Sequence, residues 1–160
     1  MGENVLGDEL GDAVDDVEGR QAPLALALVD LSHLVLHLFA DAGRAYDLTQ
    51  QQTELLCAVI VRGRVRMNEL GKILHLEKSS LSGLVDRAER RGLMIRTRDE
   101  SDRRAYWVEL TGEGIRLATQ THSDVTVRLD RMISHLSLDS QKRLTGVVNQ
   151  ITSAGARPDR

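Results

Sequence analysis

Aromatic residues are scarce in this 160-residue chain: Phe39, Tyr46, Tyr106 and Trp107 make up 2% of it. Single-strand nucleic-acid platforms stack bases on several exposed rings, so that class is disfavoured. A single cysteine, Cys57, excludes an internal disulfide framework. No glycine-rich phosphate loop, nucleophile elbow or H-E-x-x-H pair occurs, which leaves an enzyme reading without a motif. The apolar run Leu24–Val29 is closed by Asp30 and falls short of the ~20 apolar residues that cross a bilayer. It follows an acidic segment rather than a basic one and does not read as a signal peptide. The expectation is a cytoplasmic protein with no membrane partner.

Charge is unevenly spread. The net charge of −3 conceals seven acids against one base in residues 1–20, and the rest of the chain is net +3. Residues 62–104 hold twelve Arg or Lys and seven Asp or Glu, a local basic footprint of the kind that duplex DNA attracts. Residues 1–20, rich in Gly and Asp, read as a disordered acidic extension.

The stretch Met67–Leu110 carries the most information. Asn68 is a candidate helix cap, and Leu70, Ile73 and Leu74 lie on one face of a short helix. His75-Leu76-Glu77 is a turn. A second helix opens at Lys78-Ser79-Ser80, buries Leu81, Leu84, Val85 and Ala88, and turns Lys78, Ser79, Ser82, Asp86, Arg87 and Arg90 outward. Gly92 stands where a left-handed stop is wanted. Leu93 to Arg98 and Ala105 to Leu110 alternate as strands around the polar tip Asp99-Glu100-Ser101-Asp102, with Arg103 and Arg104 beside it. Helix, turn, helix and basic hairpin form the pattern of a winged helix-turn-helix, in which small hydroxyl residues let the second helix approach a major groove. Asp102, odd among arginines, is expected to hold one of them by a charge-assisted hydrogen bond.

LEKSSLSGLVDRAERRGL and RTRDESDRRAYWVELTGEG resemble the recognition helix, D-x-R-R wing and L-T-x-x-G of the MarR family of bacterial transcriptional regulators, and a looser likeness covers about residues 22–155. The resemblance implies a homodimer that binds a short pseudo-palindromic operator in double-stranded DNA. It usually represses transcription and answers to a small ligand, metal or oxidant. It implies DNA contacts at Lys78, Ser79, Ser80, Ser82 and Arg87 in the helix, and at Arg96, Arg98, Asp102, Arg103 and Arg104 in the wing. Gly83 stands where a larger polar residue is expected.

The expected fold is therefore mainly α with a small β-hairpin wing. About residues 48–110 bind DNA, 22–46 and 111–152 are dimerisation helices, and 153–160 fray. Pro23 suits a first turn, Thr49 to Gln52 has capping-box spacing, and Thr111 and Ser137 can start the last two helices. Long, broadly apolar terminal helices require a partner surface.

No cofactor is required by these residues. Zinc is the alternative effector: His33 and His37 lie four apart with Asp41 one turn on, and His122 lies on the fifth helix. Cys57 allows a thiol sensor, but its apolar surroundings favour a core role. A winged helix that binds protein rather than DNA is the alternative from another class.

Overall fold

The computed structural model describes residues 23–102 and 104–155. The expectations for residues 1–20, for Arg103 and for the end of the tail lie outside these. In order, the described elements are α1 (Pro23–Arg44), α2 (Gln50–Arg62), β1 (Val65–Arg66), α3 (Met67–Ile73), α4 (Lys78–Arg90), β2 (Met94–Arg98), β3 (Tyr106–Leu110), α5 (Gly112–Ile133) and α6 (Leu138–Gly155). The fold is mainly helical with a small antiparallel sheet of order β1-β3-β2. Strand β1 was not anticipated, because two residues carry no readable alternation. Its pairings are Val65 with Val108 and Arg66 with Trp107. Thr97 faces Trp107 from the other side.

Local chemistry explains where the helices start and stop. Thr49 and Gln52 form the capping box: the Thr49 hydroxyl accepts the Gln52 amide at 3.3 Å, and the Gln52 side chain accepts the Thr49 amide at 3.0 Å. At the end of α4, the Gly92 amide reaches the Glu89 carbonyl (2.8 Å) and the Leu93 amide reaches Ala88 (3.0 Å), with Gly92 at φ 70°. This is a Schellman stop, which needs one left-handed residue. The turn after α3 repeats it with His75 in the left-handed place, at φ 50°: the His75 amide reaches Lys72 (3.4 Å) and Leu76 reaches Gly71 (2.9 Å).

Asn68 does not cap α3. The helix begins at Met67 with Arg66 at its cap position, and among the described residues Asn68 accepts only the adjacent Glu69 amide. Pairing with Trp107 holds Arg66 extended, so the chain enters the helix earlier than side-chain chemistry alone indicated. Thr111 caps α5 by accepting the Gly114 amide (3.0 Å), and its hydroxyl donates to the Gly92 carbonyl (2.6 Å). A Cβ on Gly114 would lie 1.9 Å from the Leu93 carbonyl oxygen, so close backbone approach dictates this glycine. Helix α6 follows Ser137, whose hydroxyl accepts the Ser140 amide, and continues to Gly155.

The chain divides into two units at His37–Leu38. In the second, Leu55, Leu70, Leu84, Val85, Met94 and Val108 are sealed in one core shared by the helix-turn-helix and the sheet. A smaller cluster joins Ala42, Cys57 and Val125 with Phe39 and Leu129. Burial pushes the Cys57 thiol up to about 11, with Glu54 adding to the shift, and a thiol so raised is a poor nucleophile. Tyr46, packed against the larger core, donates to Asp124 of α5 at 3.0 Å.

Elsewhere apolar surface stays open. From Leu138 to Ala154 only Gln141 is even partly covered. In the first unit Leu24, Leu28, Leu31, Leu34 and Leu36 are exposed. Asp30 does not close the apolar run, since α1 continues beyond it. An 18-residue window of this 22-residue helix has a mean hydropathy of 1.7, and the helix is long and apolar enough, by length and composition only, to cross a membrane.

Candidate nucleic-acid interface

Helix α4 is fixed by one face. Leu81, Leu84, Val85 and Ala88 are buried, which leaves Lys78, Ser79, Ser80 and Arg87 exposed and Ser82 partly covered. Glu77 occupies its cap position without a side-chain cap, so the first-turn amides remain available to an anion. Helix and wing enclose an open groove of about 1170 Å³, lined by Asn68, Lys72, Lys78, Ser82, Arg96, Arg104 and Tyr106 among others.

The arginines of the wing differ in employment. Arg96 turns inward and forms ion pairs with Asp86 and, at 2.6 Å, with Glu89, while its backbone amide donates to Glu89 at 2.9 Å. It clamps β2 to α4. The two carboxylates raise its pKa against the opposing effect of desolvation, so it stays charged. Arg98 is exposed, with its guanidinium 5.8 Å from the Tyr106 ring centre and donating to the Tyr106 hydroxyl at 3.3 Å. Arg104 is exposed at the tip.

Asp102 was expected to hold an arginine. Arg103 lies outside the described residues; among those described, Asp102 accepts the Arg104 backbone amide at 3.0 Å and shapes the turn. At the base of the wing tip Asp99, which is 7% exposed, does hold a guanidinium. It accepts from the Ser101 hydroxyl (2.6 Å) and amide (2.9 Å), the Asp102 amide (3.2 Å), the Trp107 indole (2.8 Å) and Arg66 (2.7 Å). These donors, led by the Ser101 hydroxyl, hold its pKa far below the usual carboxylate range. Sequence reasoning treated Asp99 as a turn residue and passed over Arg64, Arg66 and Trp107 as a group. The missing signal was the strand register, which sets Arg66, Trp107 and Thr97 in one row.

The metal candidates fare differently. Among the described residues, no group of three or more His, Cys, Asp or Glu could hold a metal ion. Asp41 carries an ion pair with Arg44.

A short helix, a tight turn, an exposed polar helix and a basic hairpin on one core define a winged helix-turn-helix DNA-binding protein. Residues 48–106 match the MarR family model. The chain is 31% identical over 130 residues to the HTH-type transcriptional repressor NicR of Pseudomonas putida, covering 74% of this chain and 79% of that one. It belongs to the MarR family and is a DNA-binding transcriptional regulator. Among solved structures, NadR in complex with 4-hydroxyphenylacetate superposes with a TM-score of 0.75 at 21% identity, covering 88% of this chain and 96% of that one. A MarR variant from Escherichia coli complexed with operator DNA gives 0.70 at 23% identity, covering 81% and 93%. These two likenesses concern the fold.

Proposed function

We propose that the protein is a homodimeric repressor that sets two α4 helices into successive major grooves of an inverted-repeat operator and lets go when a small organic ligand binds. The observation that carries this reading is the outward face of exposed Lys78, Ser79 and Arg87 with partly covered Ser82, held beside a basic wing by the Arg96 clamp. Half-sites would lie about 34 Å apart. Lys78 and the serines read base edges, Arg98 and Arg104 meet phosphate or the minor groove, and Arg96 positions the helix without touching DNA. The open apolar surface of α6 supports a second copy as partner. The operator and ligand complexes of the two structural neighbours support the DNA and ligand partners. A DNA partner supports a cytoplasmic location.

The test is a titration of the protein with its own upstream intergenic duplex and with a scrambled one. Tight, salt-sensitive binding to the first alone is expected, with Arg104→Ala weakening it about tenfold. Equal, weak binding to both duplexes would overturn the reading.

A further inference from the structure

The face of the wing that carries Trp107 holds two arginines against one indole. Arg64, just before β1, reaches across the sheet to donate to the Thr97 hydroxyl at 2.9 Å, and its guanidinium carbon lies 4.9 Å from the Trp107 ring centre. Arg66 does the same one row along, 4.9 Å from that ring, and ends on Asp99. A tryptophan on the central strand thus supports two guanidinium groups. Such stacking holds planar cations in place at little further loss of side-chain freedom.

The two arginines are not equivalent. Asp99 neutralises Arg66. Arg64 is exposed, and among the described residues it has a hydroxyl partner and an aromatic partner but no carboxylate. It therefore presents a full positive charge and unused N–H donors to solvent, on a preset platform. Asp99 links this platform to the wing tip, because the same carboxylate that receives Arg66 and Trp107 also receives the Ser101 and Asp102 amides.

A hairpin lying in a minor groove about 6 Å wide is flanked by the phosphates of both strands, so each face of the hairpin meets one backbone. Arg98 lies on the face toward α4, which the Arg96 clamp holds, and Arg64 lies on the other face with Trp107 and Thr97. We infer that the Arg64–Trp107–Arg66 stack is a second phosphate-binding surface, which seats Arg64 on the operator strand that the recognition helix leaves unattended. The inference rests on the DNA-binding reading above and adds to it a contact that carries no sequence information.

The test measures the affinity of the full-length protein for operator and scrambled duplexes across a salt series, with Arg64→Gln and Arg64→Lys as variants. Arg64→Gln should weaken both complexes by a similar factor, about tenfold at low salt. It should also flatten the log–log salt slope by about 0.9 for each lost phosphate contact, hence by about 1.8 for a dimer. Arg64→Lys keeps the charge and should keep most of the slope. Emission of Trp107, the one tryptophan of the chain, and the melting curve report whether the hairpin stays folded in each variant. An unchanged slope in Arg64→Gln overturns the inference while wild-type binding leaves the regulator reading intact. So does an equal loss in both variants, which would make Arg64 a structural partner of Trp107. Wild-type protein that binds neither duplex overturns both readings.

Discussion

Leu84 in α4 is 1% exposed, whereas Leu144 in α6 is 43% exposed. The contrast extends to their surroundings: the winged region closes its core within one chain, and among the described residues nothing covers the apolar face of α6. Burial of a leucine contributes roughly 1.5–3 kcal/mol, so the first region is supported by its own contacts and the second lacks that support until another surface arrives. The lesson is that DNA reading and the proposed dimerisation are built on separate energetic footings in this chain. Damage to one need not melt the other.

The largest test of that separation is Val148→Glu. A charge in the open face of α6 should yield monomers in sedimentation and lower operator affinity on the order of 100-fold through lost bivalency, with the winged core melting as before. A variant that stays dimeric with full affinity would break the comparison. Asp99→Asn probes the other side. Its depressed pKa means that Asp99 stabilises the fold above the ordinary carboxylate value of about 3.9 and loses that contribution as pH falls below it. The wild type should therefore melt progressively lower below about pH 4, while Asp99→Asn, weaker at pH 7, should show a flatter acid limb. Parallel curves would show that the wing does not depend on this carboxylate. The smallest effect is expected of His75→Gly. A non-glycine residue in the left-handed region costs about 1–2 kcal/mol, and glycine gives back part of that through chain entropy, so a net gain of about 0.5 kcal/mol is expected in thermal unfolding. A loss would mean that the imidazole contributes more to the turn than its backbone strain costs.

Much of this was legible in residues alone. Thr49, Gly92 and Thr111 announce their helices because capping is local chemistry, and the stripe Leu81, Leu84, Val85 and Ala88 fixes which face of α4 is outward. What escaped was non-local. Arg96 reads as a wing cation, yet it is committed to Asp86 and Glu89, residues ten and seven positions away on another element. Asp99 gathers Arg66 from 33 positions upstream. Sequence counts charges but does not show which are already paired. The start of α3 escaped for a related reason, since β1 was too short to be seen.

The sealed position of Cys57 has a practical side. The chain's single thiol is buried and held largely protonated at neutral pH, so maleimide reagents should pass it by. A cysteine placed at the exposed tip residue Glu100 would then be the one reactive thiol in the chain. The wild-type sequence is thus already a background for single-site spectroscopic labelling, with no native residue to remove.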